Sequence, residues 1–281
     1  MSSYSVGMEI VEDVVIVRAG VAGLTTSLGL HRLGIRSLVL ESSERLRITG
    51  FAFTTWENAW KALDAIGIGE SLRRQHYLMS SIVVASTFLE KPTVSEMSFK
   101  GHDIRCVQRR SLLETLAKEL PIGTIRFSSK VVSIDESEDH FKRLYLADGT
   151  ILKTKVKIHF ILFYNFINYR VDQQLEAMRI SKAAMDLNPN SDSSLAKVFD
   201  QGFAPCDDEN VYWFLTWTPA TKAGDALHPM TPEISQGGCS AMEDGVVLAR
   251  CLGEALLKPG VEDEEYERIE IALKKYGQER K

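Results

Sequence analysis

The sequence has little cysteine and no closely spaced cysteine pair. Its 4 cysteines, Cys106, Cys206, Cys239 and Cys251, lie far apart, and no two of them form a CxxC motif. Zinc sites and redox-active dithiols are built from such pairs, so the spacing supports neither of them. It also supports no disulfide framework, and a reducing compartment is the simplest interpretation.

The chain also lacks an excess of positive charge. Its 33 Lys and Arg residues stand against 38 Asp and Glu residues, which gives a net charge of −5, and the two signs are mixed along the sequence. Nucleic-acid-binding domains usually carry a basic face. We therefore expect no nucleic acid partner.

Long apolar runs and targeting signals are absent as well. A membrane-spanning helix needs about 18 or more apolar residues in succession, and the most apolar segment, residues 158–169, is shorter and contains His and Asn. Residues 1–12 have no basic start, apolar core or Arg-rich amphipathic pattern. We expect no transmembrane segment and a soluble, intracellular, cytoplasmic protein with no visible organelle signal. The sequence indicates no oligomeric state.

What the chain does contain is a nucleotide-binding pattern near its start. An apolar, β-branched run at 14–17 predicts a buried parallel strand, and the turn RAGVAG follows directly at 18–23. Residues 24–34 then carry leucines at helical spacing up to a glycine, and a second strand at 37–40 ends in Glu41. Strand, glycine turn, helix, strand and acid, in this order and spacing, are typical of a dinucleotide-binding unit.

Each part of this pattern suits a nucleotide diphosphate. Gly20 lets the backbone approach the phosphates, Gly23 lets helix and strand pack closely, and Glu41 can accept hydrogen bonds from ribose. The fingerprint also needs a glycine where this chain has Arg18. A side chain there costs about 1–3 kcal/mol if the turn is strained. On that ground alone, Arg18→Gly is expected to tighten nucleotide binding.

Two further helices are predicted from capping boxes. Thr54 with Glu57 marks a helix start, and Ser111 with Glu114 marks another, with Arg109 just before it. The tryptophans of the first of these helices are interpreted as core residues. Strands are predicted at residues 81–86, 125–134 and 211–218, and in a hairpin that turns at Asp148-Gly149.

The last third of the chain carries a second glycine-rich element. AGDALHP at 223–229 leads to Gln-Gly-Gly at 236–238, and an apolar-faced helix follows. Glycines at a helix start expose N–H groups to an anionic or polarised oxygen, and an acid in a glycine turn can bind sugar-like hydroxyls. The tail from about 262 predicts one more helix, which docks on the domain.

Together, three separated motifs resemble FAD-dependent monooxygenases of the aromatic-ring-hydroxylase type. They are RAGVAG with Glu41, QRRSLLETL with Arg109, and AGDALHPM…QGGCSAMEDGVVLA. The resemblance is strongest to plant monooxygenases related to zeaxanthin epoxidase and salicylate hydroxylase, and it covers about residues 10–156 and 203–281. A flavin disulfide reductase fits less well, because no redox cysteine pair is present.

The resemblance implies an α/β fold: a Rossmann-like FAD-binding domain with a reduced antiparallel substrate sheet. It divides the chain into an N-terminal FAD-binding portion with part of that sheet (10–156), a shortened substrate-domain remnant (157–222), and a C-terminal FAD-binding segment with the docking helix (223–281).

The resemblance also implies a set of FAD contacts, although no catalytic residue and no metal ligand can be assigned. The implied contacts are Gly20, Gly23 and Glu41 at the ADP half, Arg109 against the cofactor, Asp225 at the ribityl chain, and Pro229, Gly237 and Gly238 at the isoalloxazine ring.

The chemistry implied is hydroxylation or epoxidation of a small hydrophobic or aromatic substrate, with NAD(P)H as a transient co-substrate and dioxygen as the oxidant. The sequence departs from the family at Arg18, at the Asp-Gly element expected after Val156, and in a substrate sheet that is largely missing between 218 and 223. An alternative therefore stays open: a non-catalytic flavoprotein-fold remnant, or an interaction protein, with weak or no FAD binding.

Overall fold

A computed structural model describes residues 10–48, 52–86, 93–135, 141–159, 199–205, 211–217, 236–259 and 262–280. The strands in these ranges are β1 (Ile10–Val17), β2 (Leu38–Leu40), β3 (Ala52–Thr55), β4 (Ser81–Ser86), β5 (Thr93–Ser98), β6 (Arg105–Gln108), β7 (Ile125–Arg126), β8 (Val131–Asp135), β9 (Lys142–Leu146), β10 (Ile151–His159), β11 (Phe199–Pro205) and β12 (Val211–Trp217). The helices are α1 (Val21–Arg32), α2 (Glu57–Ala65), α3 (Gly69–Arg73), α4 (Arg109–Lys118), α5 (Gly237–Leu256) and α6 (Glu262–Glu279).

A six-stranded sheet in the order β7-β2-β1-β10-β9-β8 forms the centre of the fold. Strand β1 pairs in parallel with β2 on one side and β10 on the other. The side chains of Val14, Val15 and Ile16 are fully buried, as expected for a strand covered on both faces. The predicted strand–helix–strand unit is therefore confirmed, and with it the α/β, Rossmann-like fold class.

The segment that was predicted as one strand over 125–134 is two strands, so that prediction is wrong in this detail. Strands β7 and β8 lie at opposite edges of the six-stranded sheet. Ser128, between them, has a φ of +53° and breaks the extended backbone. The chain thus crosses the sheet at 127–130, and Ser129 N–H donates to the Glu41 carbonyl (2.8 Å).

Both predicted capping boxes are also wrong, although both helices exist. Thr54 lies in β3, paired with Cys106, and the N-cap of α2 is Trp56, without a side-chain cap. Ser111 lies inside α4, which begins at Arg109 with Gln108 as its N-cap. Each helix starts directly after a strand, so backbone pairing in the two-stranded β3–β6 sheet fixes these starts and side-chain caps do not.

A second sheet, in the order β12-β11-β4-β5, has four strands that pair antiparallel throughout. It is the reduced antiparallel sheet that the sequence leads one to expect. The Asp148-Gly149 hairpin between β9 and β10 is present too, with Gly149 at a φ of +84°. The apolar segment at 158–169 lies outside the described residues from residue 160 onward.

Helices α1 and α5 pack closely along small residues. A Cβ atom added to Gly245 would lie 2.7 Å from Thr25 Cβ, and one on Gly29 would lie 2.7 Å from Ala249 Cβ. One turn further along both helices, Gly253 faces Leu33. In these three contacts the residue numbers of α1 and of α5 both rise by four, so the two helices run in the same direction. The same pairing means that α5 begins about one turn (~6 Å) before α1.

The remaining helices complete the core. The Trp60 side chain is 2% exposed, with the guanidinium of Arg73 at 4.7 Å and that of Arg105 at 5.9 Å from its ring centroid. The interpretation of this tryptophan as a core residue is confirmed. In α6, Ile269 is buried against the same core, so the C-terminal helix docks as predicted, although Leu273 is 39% exposed.

Candidate cofactor site

The turn between β1 and α1 is shaped by its two glycines. Gly20 is the N-cap of α1, and no side chain caps the helix. The first N–H groups of a helix have no partner within the helix and carry its positive dipole end, so they can bind an anion. A Cβ atom on Gly20 would meet nothing within 4 Å, whereas one on Gly23 would overlap the Arg18 carbonyl oxygen. Gly20 thus leaves open space, and Gly23 permits close packing.

Arg18 has a φ of +87°, in the left-handed region that favours glycine. The sequence predicted that this position makes the tight turn out of β1, and the backbone confirms it. A non-glycine residue held there costs about 1–3 kcal/mol. The Arg18 N–H donates to the Leu40 carbonyl (2.7 Å), which ties the turn to the end of β2.

Glu41 lies directly after β2 and joins this turn to the next loop. Its Oε2 accepts a hydrogen bond from Ala19 N–H (3.0 Å), its Oε1 accepts one from Ser43 N–H (2.9 Å), and Arg47 lies 3.3 Å away. Burial alone would raise the pKa of Glu41, but these N–H donors and the Arg47 charge outweigh burial, and the pKa lies below its usual value. Oε1 also accepts a hydrogen bond from the Ser42 hydroxyl (3.3 Å), so it is Oε2 that keeps a lone pair for a ligand hydroxyl.

A cavity of about 580 Å³ opens at the carboxyl ends of β1 and β2. Its volume lies in the range of ligand pockets. Its walls come from the ends of β1 and β2, from Arg47, and from residues 129–134, which the sheet-crossing segment brings here. The cationic and hydroxyl side chains of its lining are Arg18, Arg47, Lys130, Ser42, Ser129 and Ser133.

Most of this lining belongs to no motif of the sequence. Arg47 and Ser42 come soon after Glu41, and this closeness is the signal that could have indicated them. Lys130 and Ser129 gave no signal, because they arrive only through the left-handed turn at Ser128.

The first turn of α5 lies against β3 and α2. A Cβ atom on Gly238 would lie 3.2 Å from the Phe53 ring, and the side-chain amide of Asn58 donates to Gln236 (3.1 Å). Gly237 is exposed. The glycine pair predicted at the start of this helix is therefore present, but Gly238 makes room for a phenylalanine of the same chain.

Arg109 is the first residue of α4 and is half-buried. The expectation that it precedes the helix is wrong, because the N-cap is Gln108, three residues before the predicted cap Ser111. The junction before it is held by His76, which is 3% exposed. His76 Nε2 accepts from Gln108 N–H (3.2 Å), and its Nδ1 therefore carries the proton that is donated to the Leu72 carbonyl (2.9 Å). The hydrogen bond from Gln108 to His76 therefore holds the backbone directly before Arg109, at the start of α4.

The structure brings Gly20, Gly23 and Glu41 together at one turn. Arg109 follows β6, which pairs with β3, and Phe53 on β3 contacts Gly238 at the start of α5. Arg109 and the start of α5 are therefore linked through this pair of strands. Asp225 and Pro229 lie outside the described residues.

No thiol in the described part of the chain is suited to disulfide exchange with a cofactor. Cys239 is buried in the first turn of α5, and burial raises its pKa to about 11. The thiol therefore stays protonated near neutral pH. Within the described residues, no group of three or more His, Cys, Asp or Glu side chains could hold a metal ion, and no helix is long and apolar enough to cross a membrane.

Comparison with known proteins assigns the family. A family model described as FAD binding domain matches residues 12–159, over half of the chain. The chain is also 42% identical to Monooxygenase 2 of Arabidopsis thaliana, over 96% of this chain and 85% of that protein. The chain belongs to the FAD-dependent monooxygenases of the aromatic-ring-hydroxylase type. This FAD monooxygenase chain is also 30% identical to Monooxygenase 1 of Arabidopsis thaliana, over 95% of this chain and 86% of that protein.

Solved structures show the same fold. Klebsiella pneumoniae HpxO, crystallised with FAD and uric acid, superposes with a TM-score of 0.61 at 15% identity, over 96% of this chain and 88% of that chain. Its family membership, which rests on the family model and on Monooxygenase 2, makes the protein an FAD-dependent enzyme. None of these comparisons favours the alternative of a non-catalytic remnant.

The comparison with Monooxygenase 2 also shows that this chain is shorter inside the aligned region. The alignment runs over 349 positions, but 96% of 281 residues is only about 270. About 80 aligned positions of the relative therefore have no counterpart here.

The residues at the start of α1 fit the ADP half of FAD. The helix N-terminus is uncapped, and Gly20 leaves open space in front of it. Glu41 keeps a lone pair on Oε2, and the cavity with its cationic lining is formed in part by the chain neighbours Arg18, Leu40 and Ser42. These are the features that diphosphate and ribose require.

Proposed function

We propose that this monooxygenase uses NAD(P)H and dioxygen to hydroxylate or epoxidise a small hydrophobic or aromatic substrate. FAD supplies the chemistry when bound: once reduced, it activates dioxygen for insertion of one oxygen atom into the substrate. The residues of the chain bind and orient the cofactor and exclude water from it. The observation that carries the proposal is the cavity at the ends of β1 and β2, beside Glu41 and the open turn at Gly20.

At the ADP half, we assign four residues to binding. The N–H groups of the first turn of α1, reached past Gly20, bind the diphosphate, and Gly23 keeps that turn against β1. Glu41 accepts hydrogen bonds from the ribose hydroxyls. Arg47, which already contacts Glu41 and lines the cavity, adds positive charge on the phosphate side.

At the flavin half, Gly237 and Gly238 place the N-terminus of α5 toward the isoalloxazine ring. The positive N-terminal ends of α1 and α5 point the same way, and α5 begins about one turn earlier. Its N-terminus therefore lies beyond the phosphate site, on the side where the flavin half is expected. Arg109 lies against the cofactor from the β6–α4 junction. By resemblance, Asp225 holds the ribityl chain and Pro229 borders the ring.

The four-stranded antiparallel sheet is proposed to cover the flavin and form the substrate pocket. This assigns residues 10–156 to an N-terminal FAD-binding portion that contributes β4 and β5 to the sheet. It assigns 157–222 to the shortened remainder of the substrate domain and 223–281 to the C-terminal FAD-binding segment with the docking helix. HpxO was crystallised with uric acid, a small ring compound, which supports a small ring substrate here. We also propose an intracellular, cytoplasmic location; the described cysteines are free thiols.

The visible absorption spectrum of the purified protein, before and after denaturation, is the first test. About one flavin per chain, released on unfolding, is expected, followed by NAD(P)H oxidation that a substrate accelerates. Hydrogen peroxide should be measured in parallel, because it separates productive turnover from leakage through a short substrate sheet. A colourless protein that stays colourless with added FAD would refute the proposal.

Asp225→Ala tests the flavin-half assignment separately. The variant is expected to lose flavin during purification while its far-UV circular dichroism stays unchanged. Asp148→Ala, at an exposed hairpin turn, is the control and should retain flavin. Equal flavin content in both variants would remove Asp225 from the site.

A further inference from the structure

Arg18 combines a strained backbone with a place in the cavity wall. Among the described residues, Arg18 and Ser128 are the two non-glycine residues with a positive φ. Arg18 lines the cavity, and Ser128 precedes the lining residue Ser129. Strained residues cluster at binding sites, where another interaction compensates for the strain. Their position at one cavity therefore points to a role for the side chain of Arg18.

The charges of the cavity indicate what this side chain can bind. Of its three cations, Arg47 contacts Glu41 and the hydroxyls of Ser42 and Ser43. Arg18 is exposed, and neither the Arg18 guanidinium nor the Lys130 ammonium makes a hydrogen bond or ion pair with any residue that the structure describes. Two positive charges in the wall are thus available to an anion.

The position of Arg18 along the chain brings it close to the phosphate site. It stands two residues before Gly20, the N-cap of α1, where an anion meets the first N–H groups of the helix. A guanidinium presents several N–H donors in a plane and binds phosphate oxygens by two hydrogen bonds at once. Glycine at this position provides only the backbone conformation and no donor from a side chain.

We propose that Arg18 is a cofactor-binding residue of this chain, and that its guanidinium binds the diphosphate of FAD. The inference rests on the proposed ADP site. It reverses the expectation from sequence alone, which considered only the backbone. Replacing Arg18 by glycine relieves strain in the protein without ligand and also removes a positive charge from the phosphates, so fold stability and cofactor affinity change in opposite directions.

Isothermal titration calorimetry of the flavin-free protein separates these effects. The titrants are FAD, ADP and adenosine, each at low and high salt. Arg18→Met keeps a long side chain and the strained backbone but removes the charge, and it is expected to weaken FAD and ADP about fivefold while leaving adenosine unchanged. The loss should shrink at high salt because the missing interaction is ionic. Arg18→Lys should retain most of the affinity.

Arg18→Gly completes the set. It is expected to raise the melting temperature of the flavin-free protein and still to bind FAD and ADP more weakly than the unmodified chain. If Arg18→Met and Arg18→Gly bind both ligands as tightly as the unmodified chain, the inference is overturned and the ADP site stands. If the unmodified chain binds neither FAD nor ADP, both the inference and the proposed site are overturned.

Discussion

Helices α1 and α5 both begin at glycines beside the proposed cofactor site, but their first turns differ in surroundings. At α1, a side chain on Gly20 would extend into open space next to a cationic cavity. At α5, a side chain on Gly238 would meet the Phe53 ring at 3.2 Å. Glycine at α1 therefore leaves room for a ligand, whereas glycine at α5 makes room for the protein and so fixes where that helix starts.

This difference shows that the two ends of the site are built in different ways. The start of α1 is held locally, by Glu41 and by the packing of Gly23 against Arg18. The start of α5 is held at a distance, through the α1–α5 register at Gly245 and through Phe53 on β3. Substitutions at these positions can therefore show whether cofactor binding depends on local contacts at α1 or on distant packing at α5.

Gly23→Ala should have the largest effect. The added Cβ overlaps a backbone carbonyl oxygen that cannot move without shifting β1 or α1. We expect a loss of about 3 kcal/mol in the free energy of unfolding, together with loss of bound flavin. Chemical denaturation followed by circular dichroism measures the first effect and absorption at flavin wavelengths the second. An unfolding free energy within about 0.5 kcal/mol of the unmodified chain would contradict the packing role.

Gly245→Val tests the distant support. Its side chain would press on Thr25, where even a Cβ lies at 2.7 Å, and would push α5 away from α1. We expect about 2 kcal/mol of destabilisation and a lower flavin content, with ADP affinity largely retained because the start of α1 is held locally. Gly277→Val in α6 is the matched control, because a Cβ atom added to Gly277 would have no neighbouring atom within 4 Å. If Gly245→Val lost as much affinity for ADP as for FAD, the starts of α1 and α5 would not be independent.

Glu41→Gln should destabilise the turn by about 1–2 kcal/mol, because one of two buried N–H donors then faces an amide N–H group. The pKa of Glu41 is lower in the folded chain than its ordinary value of 4.5. Its contribution to stability is therefore present above that pH and is lost as the pH falls further.

Unfolding free energies between pH 7 and about pH 3 test this sign, because the loss occurs below the ordinary pKa of 4.5. The fall in stability with acidification should be smaller in Glu41→Gln than in the unmodified chain. Glu96→Gln, at an exposed position on β5, should behave like the unmodified chain. A variant as acid-sensitive as the unmodified chain would show that Glu41 does not contribute.

Gly20→Ala should have the smallest effect on the fold and a clear effect on the ligand. Gly20 has a φ of −86° and free space around it, so the unfolding free energy should change by no more than about 0.5 kcal/mol. The methyl group would stand where the diphosphate approaches, and FAD affinity should fall about tenfold, as measured by calorimetry. Unchanged FAD affinity would show that the phosphates do not bind at this turn.

Much of the fold could be predicted because it follows from local pattern. The β-branched run before the turn, the leucines of α1 and the Asp148-Gly149 hairpin each specify their own element. The starts of α2 and α4 could not be predicted from Thr54 and Ser111, because pairing between β3 and β6 decides them. Local capping signals were overridden by a sheet formed from segments about fifty residues apart.

The candidate site divides in the same way. Gly20, Gly23 and Glu41 stand at fixed spacings within one strand–helix–strand unit, so the sequence alone determined their arrangement. Lys130 could not be foreseen, because its place depends on the left-handed backbone at Ser128.

By itself, the sequence determined the family, the FAD fingerprint with its unusual Arg18, and the order of the main elements. The tertiary structure alone decided that 127–130 crosses the sheet to close a cavity, that α1 and α5 run in the same direction, and that Arg18 lines the cavity wall. The physical reason is the range of the interactions. Periodicity and turn chemistry act between near neighbours in the chain, whereas edge choice, helix register and cavity walls depend on packing between distant segments.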